Sequence, residues 1–354
     1  MILAINPGST STKIAVFKDN KEVFTKTLRH TSQELAPYNS IIEQYDFRKD
    51  IILNSVKEEG IEFKTLTAIV GRGGLLKSIP SGVYRTNDLM VQDLKKGERG
   101  EHASNLGGIL ADEIAKAIGE VPSFIIDPVV VDEMQDVARI SGHPLMPRIS
   151  IFHALNQKAV ARRYAREIGK KYEDLNLIVA HLGGGISVGA HQKGKVIDVN
   201  NALDGEGPFS PERCGTLPVG TLTKICFSGK YQLNDVKQMI KGRGGLAAFF
   251  DTTDARVVEN RANEGDEQAK LIYSAMSYQV AKEIGANATV LKGKIDAILI
   301  TGGLAYSKLF VEDLQQRCSF IGEIKVYPGE DEMQALAEGA YYALNGELEI
   351  KEYE

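Results

Sequence analysis

The feature that most constrains this chain of 354 residues is a weak internal duplication. Residues 2–24 (ILAINPGSTSTKIAVFKDNKEVF) align with residues 177–199 (LIVAHLGGGISVGAHQKGKVIDV). In both segments an apolar run enters a turn that contains glycine, a second apolar run follows, and the chain turns again. Residues 67–75 (TAIVGRGGL) align with residues 296–304 (DAILITGGL) in the same order. Glycine turns after strands are common, but two matches in one order favour two related domains over chance.

Short runs rich in β-branched residues alternate with longer runs of helical periodicity. This alternation predicts an α/β fold in which helices cover the faces of a sheet. The predicted strands cover residues 2–5, 13–17, 67–70, 123–126, 177–180 and 295–300. The clearest predicted helices cover residues 106–118, 153–168, 270–284 and 333–344. We expect one domain to comprise residues 1–153 plus 335–354, and the other to comprise residues 154–334.

The charge balance and the cysteines indicate which partners and which compartment suit the chain. There are 42 Lys and Arg residues against 47 Asp and Glu, with no long basic run, which argues against nucleic acid or an anionic membrane as a partner. Cys214, Cys226 and Cys318 form no CxxC pair, which is typical of a reducing compartment. No apolar run reaches the roughly 18 residues that a membrane helix needs. We therefore expect a cytoplasmic protein that binds a small molecule.

The first glycine hairpin, residues 6–13, reads NPGSTSTK. Glycine, several hydroxyl groups and a lysine are the groups that cradle a phosphate. The segment is not a Walker A loop, because the GxxxxGK[ST] spacing is absent and a strand follows it. An ordinary hairpin rich in turn residues is the alternative. The candidate phosphate-binding residues here are Asn6, Ser9, Ser11 and Lys13.

The second hairpin, residues 181–187, reads HLGGGIS. Three consecutive glycines (Gly183, Gly184 and Gly185) lose much backbone entropy on folding, so their presence favours backbone N–H groups that wrap an anion. Two glycine hairpins that face each other would hold a polyphosphate from both sides.

Two arginines lie among glycines, where little bulk surrounds them. Arg72 stands in a GRGG turn at the end of a predicted strand, and Arg213 in the loop PERCG. The planar guanidinium pairs with two oxygens of a phosphate or carboxylate and stays charged, which suits phosphoryl transfer. A surface ion pair is the alternative for either arginine.

Three further positions are candidates for the functional site, and each also has an ordinary structural interpretation. Asp127 follows the strand 123–126, at the strand end where open α/β sheets bind ligands, and a helix or turn cap is the alternative. His153 opens a predicted helix and could project a hydrogen-bond donor into a cleft, although a lone histidine is often structural. The acidic run 330–332 suits the first turn of a helix, and a magnesium ligand there is the alternative.

Together these segments resemble the acetate and butyrate kinase family, most closely its branch of butyrate and branched-chain fatty acid kinases. The resemblance spans nearly the whole chain. It rests on residues 6–13, Arg72, Asp127, 151–153 (IFH), 181–185 (HLGGG), 213–215 (RCG), 301–303 (TGG) and 330–333 (EDEM). It implies the duplicated two-domain fold of actin, sugar kinases and chaperone ATPases, with the nucleotide in the cleft between the domains.

The resemblance also implies a role for each matching residue. Arg72, Asp127, His153 and Arg213 would be catalytic. The nucleotide and its phosphates would contact Asn6, Ser9, Ser11, Lys13, His181, Gly183, Gly184, Gly185, Gly302 and Gly303. Magnesium would lie near Asn6, Asp127 and Glu332, with Asp331 as the alternative to Glu332.

The chain departs from the acetate kinase pattern at several positions. Gly184 replaces an asparagine, and residues 304–306 (LAY) replace Ile-Gly-Glu, which puts two nucleotide contacts in doubt. Gly74 replaces a valine, and we expect the space so gained, together with Phe152, to admit a longer acyl chain. Each additional buried methylene would contribute about 0.8 kcal/mol.

The resulting hypothesis is a reversible, magnesium-dependent transfer of phosphoryl from ATP to butyrate or a similar short fatty acid, giving ADP and an acyl phosphate. Acetate or another carboxylate is the first alternative acceptor. A sugar or other hydroxyl kinase and a nucleotide-gated binding module of the same fold are further alternatives. A homo-oligomer is expected.

Overall fold

In the computed structural model, which describes residues 1–119 and 121–354, the chain divides into two compact units. Unit 1 comprises Met1–Val131 and Asp331–Glu354, and unit 2 comprises Asp132–Glu330. The first unit is thus discontinuous in sequence, as the predicted first domain is, but its boundaries lie at 131/132 and 330/331 instead of 153/154 and 334/335.

The segment 132–153 packs with unit 2 for identifiable reasons. Arg148 donates hydrogen bonds to Asp198 at 2.9 Å and to Glu206 at 3.2 Å. The backbone N–H of Ala202 donates to the carbonyl oxygen of Ile151 at 2.9 Å. Phe152 and His153 therefore belong to unit 2.

The sheet of unit 1 has the strand order β12-β5-β6-β4-β1-β2-β3. Its strands are β1 (Ile2–Pro7), β2 (Ser11–Lys18), β3 (Lys21–Arg29), β4 (Ala68–Arg72), β5 (Val83–Arg85), β6 (Ser123–Ile126) and β12 (Ile350–Lys351). Its helices are α1 (Ser32–Leu35), α2 (Tyr45–Glu58), α3 (Asp88–Lys96), α4 (Asn105–Ile118) and α13 (Glu332–Leu344). Helix α4 packs on β4 and β6, and α13 packs on β1 and β4.

The sheet of unit 2 has the strand order β11-β10-β7-β8-β9. Its strands are β7 (Asn176–Leu182), β8 (Ile186–Gln192), β9 (Lys195–Val199), β10 (Ala297–Gly302) and β11 (Ile324–Pro328). Its helices are α5 (Asp136–Arg139), α6 (Ala154–Glu167), α7 (Val219–Cys226), α8 (Leu233–Ile240), α9 (Leu246–Phe250), α10 (Ala255–Asn263), α11 (Glu267–Val290) and α12 (Lys308–Cys318).

Five strands of the unit 1 sheet have the same topology as the five strands of the unit 2 sheet, which confirms the predicted duplication. In unit 1, β1 pairs antiparallel with β2, β2 antiparallel with β3, β1 parallel with β4, and β4 parallel with β6. In unit 2, strands β7, β8, β9, β10 and β11 repeat this pattern in the same order. The α/β class is confirmed as well. Within the described residues, no helix is both long and apolar enough to cross a membrane.

Each unit buries its own apolar core between its sheet and its helices. In unit 1 the side chains of Leu3, Ile5, Ile14 and Ile69 are completely buried against α2 and α4. In unit 2 the fully buried Ile178, Val188 and Ile298 pack against α11 and α12. Because their faces are covered, the strands are rigid supports for the side chains at their ends.

Candidate active site

In unit 1, three predicted site residues are in direct contact. Strand β4 lies parallel to β1, so Arg72 at the end of β4 comes beside Asn6 near the end of β1. The Glu332 carboxylate, on the first residue of α13, accepts from Asn6 Nδ2 at 2.5 Å and from Arg72 Nη1 at 3.0 Å, both on Oε2. Arg72 Nη1 also lies 3.4 Å from Asn6 Oδ1. The guanidinium is thereby held in a fixed orientation.

This arrangement bears on the choice between Glu332 and Asp331. The side chain of Glu332 is 8% exposed and that of its partner Arg72 is 22% exposed, so the ion pair is largely shielded from water. Asp331 is the exposed residue that precedes the helix. Between the two carboxylates, Glu332 is therefore the one bonded to Asn6 and Arg72.

The first glycine hairpin lies next to this cluster. Lys13 is the register partner of Asn6 across β1 and β2, and both side chains therefore stand on the same face. Gly8 N–H donates to the carbonyl oxygen of Ser11 at 2.7 Å, which closes the turn. The side chains of Ser9 and Lys13 are exposed, and that of Ser11 is partly exposed.

A buried arginine that we did not identify from the sequence binds the backbone of this hairpin. Arg48, on α2, is fully buried. It donates to the carbonyl oxygens of Gly8 at 2.7 Å, Ser9 at 2.8 Å and Ser11 at 3.0 Å. It also donates to Thr12 Oγ1 at 3.1 Å. Burial lowers the pKa of Arg48 to about 10.

Asp127 follows β6 and is almost completely buried. Its Oδ1 accepts from Ser81 Oγ at 2.6 Å and from the backbone N–H of Gly82 at 2.9 Å. Its φ of 38° is in the left-handed region, which a residue with a side chain occupies at a cost in strain. The fold therefore holds this carboxylate at a defined place at the end of β6.

In unit 2, the glycines 183–185 form the short turn between β7 and β8. Ser210 Oγ donates to the carbonyl oxygen of Gly184 at 2.5 Å, which ties the turn to the loop that carries Arg213. A Cβ on Gly185 would overlap the guanidinium of Arg213, although the φ of Gly185 is outside the left-handed region. The third glycine is thus required for a close approach of the arginine.

Arg213 is held by its own loop and by the backbone. Its Nη1 donates to the carbonyl oxygen of Ala202 at 2.5 Å, and its Nη2 lies 3.5 Å from Glu212 Oε1. Its Nε is buried and has no hydrogen-bond partner. Burial lowers the pKa of Arg213, and Glu212 opposes this shift. A largely buried guanidinium whose Nε has no partner suits contact with an anion.

The two predicted histidines of unit 2 stack on each other. The rings of His153 and His181 lie 3.8 Å apart with an interplanar angle of 11°. His181 Nδ1 lies 2.8 Å from Asn156 Oδ1, and its Nε2 lies 3.1 Å from Glu330 Oε1. His153 Nδ1 lies 2.8 Å from Ser187 Oγ on β8.

A cavity of about 760 Å³ opens beside the glycine turn of unit 2. Gly183, Gly184 and Gly303 line it, so the structure brings the second hairpin and the turn after β10 together. The other lining residues are Pro211, Thr253, Asp254, Ala255, Arg256, Glu259, Tyr273, Leu304, Tyr306 and Ser307. The volume is typical of a small-molecule site. Gly302 precedes this lining, at a φ of 91°.

The reason given for Gly74 is wrong. A Cβ at position 74 would lie 2.5 Å from both the Cα and the Oδ1 of Asn105, at the start of α4. The space left by the missing side chain is therefore filled by Asn105, whose Oδ1 accepts from the Leu75 N–H at 2.8 Å. Gly74 therefore allows the start of α4 to lie close to its backbone, and it does not open a pocket. Phe152 is almost fully buried in unit 2.

Sequence reasoning missed Arg48 and the residues of α10 that line the cavity. A signal for Arg48 exists, because it precedes the buried Ile52 and Val56 by four and eight residues and so shares the apolar face of α2. Asp254, which lines the cavity, is the N-cap of α10 and accepts a hydrogen bond from the Arg256 N–H at 3.0 Å. An N-cap pattern indicates a helix start but does not indicate that a cavity adjoins it.

Comparison with known proteins agrees with this geometry. The profile of the acetokinase family matches residues 146–333. Butyrate kinase 2 of Clostridium acetobutylicum is 59% identical over 352 residues, 99% of both chains. The crystal structure of Porphyromonas gingivalis acetate kinase superposes with a TM-score of 0.80 at 18% identity, covering 97% of this chain and 99% of that chain.

More distantly, the ROK hexokinase of Thermus thermophilus has a TM-score of 0.50 at 13% identity, covering 98% of this chain and 99% of that chain. The predicted fold, shared with sugar kinases, is confirmed. With a family match over more than half of its length and a curated relative of such identity along all of it, the chain belongs to the acetokinase family.

Proposed function

We propose that this protein transfers the γ-phosphoryl group of ATP to butyrate and forms butyryl phosphate and ADP, in a reversible reaction. The observation that carries the proposal is the 59% identity to a butyrate kinase along 99% of both chains. The geometry supports it, because unit 2 has a glycine-lined cavity of nucleotide size and unit 1 has an oriented arginine beside a phosphate-type hairpin.

The chemistry needs no general base. Butyrate is already ionised near neutral pH, since the reference pKa of a carboxylic acid is about 4. One carboxylate oxygen attacks the γ-phosphorus, the bond from phosphorus to the bridging oxygen breaks, and that oxygen leaves with ADP. Catalysis then depends on alignment and on charge stabilisation. Arg72 is suited to the acceptor carboxylate, while Arg213 and His153 are suited to the equatorial oxygens.

Magnesium is part of the proposal, and the residues of unit 1 suit it. Among residues 1–119 and 121–354, no group of three or more His, Cys, Asp or Glu side chains could hold a metal ion by itself. Mg²⁺ bound with a nucleotide needs only one or two protein carboxylates besides phosphate oxygens and waters. Glu332 and Asn6, with Asp127, would supply those contacts, and the ion would neutralise charge on the phosphates.

The acceptor is tested with a series of carboxylic acids of two to six carbons. Acyl phosphate formed with ATP is trapped by hydroxylamine as the hydroxamate, and kcat/KM is measured for each acid. We expect a maximum at four carbons, about tenfold above acetate, because two additional methylenes are buried. An equal or higher value for acetate would contradict the butyrate assignment, and no hydroxamate with any acid would contradict a carboxylate kinase.

Variants connect this activity to the site. Arg72→Ala and Arg213→Ala should each lower kcat at least about a hundredfold, as expected for loss of a transition-state donor. Arg85→Ala is the matched control, because Arg85 is an exposed arginine of unit 1 that pairs with Glu352 at 3.7 Å. Near-normal turnover in both site variants would remove their assigned roles.

Acetate stays the first alternative acceptor, as in the sequence analysis. The acid series separates the two. Since Asn105 fills the space beside Gly74, the proposed acyl pocket retains Phe152 alone from the sequence prediction. The cytoplasm is proposed as its compartment because Cys214, Cys226 and Cys318 are free thiols, and the homo-oligomer stays a prediction.

A further inference from the structure

We propose that Ser187, Gln157, His191 and Tyr172 form a one-directional chain of hydrogen bonds that holds His153 neutral, with its proton on Nε2. This inference rests on the proposed function, because it concerns how His153 would contact the transferring phosphoryl group. The four residues would be positioning residues, since they act through His153.

The links of the chain are short and buried. His153 Nδ1 lies 2.8 Å from Ser187 Oγ, and Gln157 Nε2 lies 2.8 Å from the same oxygen. Gln157 Oε1 lies 2.9 Å from His191 Nε2, and His191 Nδ1 lies 2.7 Å from the Tyr172 hydroxyl. Ser187, Gln157 and His191 are fully buried, and Tyr172 is 4% exposed.

A backbone carbonyl fixes the direction of the chain. Gln157 Nε2 lies 3.0 Å from the carbonyl oxygen of Ser187, which can only accept a hydrogen bond. The amide nitrogen of Gln157 must therefore face Ser187, and its oxygen must face His191. Because that oxygen only accepts, His191 Nε2 carries a proton and donates it.

The direction of the Ser187 hydroxyl proton follows from its other hydrogen bonds. Its oxygen accepts from Gln157 Nε2 and, at 3.4 Å, from the backbone N–H of His153. A serine hydroxyl has two acceptor positions and one donor, so its proton is left for His153 Nδ1. An imidazole that accepts on Nδ1 carries its proton on Nε2.

The surroundings of His191, at the Tyr172 end of the chain of hydrogen bonds, also favour neutral imidazole rings. Burial lowers the pKa of His191 well below its usual value, and the positive charges of Lys158 and Arg162 act in the same direction. Neutral His191, protonated on Nε2, accepts from the Tyr172 hydroxyl on Nδ1. A Cβ at Gly189 would lie 2.7 Å from Gln157 Oε1, so the glycine provides the space for this link.

The neighbouring ring of His181 packs flat against His153. His181 stacks on it at 3.8 Å and contacts the Glu330 carboxylate at 3.1 Å. His153 would then stabilise phosphoryl oxygens as an oriented N–H donor, while the arginines supply the positive charge.

The kinetics of substituted proteins test whether Ser187 acts through His153. Ser187→Ala should lower kcat about tenfold, with KM for ATP and butyrate nearly unchanged, because the imidazole loses its orientation. In a His153→Ala background, Ser187→Ala should have no further effect on kcat, since coupled residues are non-additive. Ser277→Ala is the control, because Ser277 is a buried serine of α11 bonded to Asp313. An equal loss in both backgrounds would overturn the proposal.

The tautomer is read directly by ¹⁵N NMR of the full chain labelled at histidine, with the His153 resonances assigned by their loss in His153→Gln. We expect an unprotonated Nδ1 and a protonated Nε2 near neutral pH. Tyr172→Phe should weaken this preference while the protein stays folded. A protonated Nδ1 in the wild type would overturn the inference. Because the spectrum needs no turnover, it remains decisive if the proposed phosphoryl transfer fails.

Discussion

At the scale of single residues, Arg48 shows how a side chain without contact to a ligand can shape a binding loop. Within the described residues, no acidic group raises its pKa, and burial alone lowers it. Its charge is instead stabilised by peptide dipoles, because it donates hydrogen bonds to three carbonyl oxygens of the first hairpin. Because these carbonyl oxygens point toward Arg48, we expect the opposite side of the turn to present the hydroxyl and lysine side chains.

Replacement of Arg48 should therefore affect phosphate binding more than a neighbouring substitution does. We expect Arg48→Met, which preserves length, to raise KM for ATP about tenfold or more and to lower the free energy of unfolding by about 3 kcal/mol, because buried carbonyls lose their donor. Arg48→Lys should recover part of both effects. Steady-state kinetics and urea unfolding measure them.

The matched control is Lys49→Met, since Lys49 is on the same helix and pairs with Asp46 at 2.7 Å on the surface. It should change neither quantity appreciably. An Arg48→Met protein with lower stability but wild-type KM would show that Arg48 supports only the fold.

At the scale of elements, His30 links the end of β3 to the hairpin. Its Nε2 lies 2.9 Å from Thr12 Oγ1, and its backbone N–H donates to the carbonyl oxygen of Thr10 at 2.9 Å. Its ring is buried and packs edge-on against Phe47. Burial, with a contribution from Arg48, lowers the pKa of His30 to about 4.

The pKa of His30 predicts how stability depends on pH. The unfolded chain binds this proton below about pH 6.5, but the folded protein binds it only below about 4, so the free energy of unfolding falls as pH decreases between these values. From pH 7 to 5 the loss due to His30 should be at most about 2 kcal/mol. His30→Gln should reduce this slope, measured by urea unfolding.

Substitution of an exposed histidine provides the comparison. His143 lies on the surface of unit 2, and His143→Gln should retain the wild-type slope. If His30→Gln and the wild type lose equal stability between pH 7 and 5, then His30 is not the group responsible.

Most of the long elements could be predicted from sequence, because periodicity reports which face is buried. The helix predicted at 106–118 is Asn105–Ile118, and the helix at 153–168 is Ala154–Glu167. Gly74 shows the limit of such reasoning. Nothing local reveals that Asn105, thirty-one residues later, occupies the adjacent space. The hydrogen-bond chain of unit 2 was missed for the same reason, since its partners are distant in sequence. The place of Arg48 on the buried face of α2 could be read from the sequence, but its carbonyl partners in the first hairpin could not.

At the scale of the whole molecule, the duplication predicted two related domains, and the two sheets indeed share five strands in the same order. It could not predict β5 and β12, which extend the sheet of unit 1 alone. The expected domain boundary at residue 153 also differs from the division in the structure, because the contacts of Arg148 and Gln135 attach the segment from 132 to unit 2. Internal similarity reports the repeated core and not the insertions around it.

The most direct test of the proposed phosphoryl transfer follows the oxygen that attacks phosphorus. The protein is incubated with ATP, Mg²⁺ and butyrate labelled with ¹⁸O in its carboxylate, and the products are observed by ³¹P NMR. We expect ADP and an acyl phosphate whose phosphorus resonance carries the isotope shift of an ¹⁸O bridge. ATP consumption that does not depend on butyrate and yields only unlabelled inorganic phosphate would contradict it.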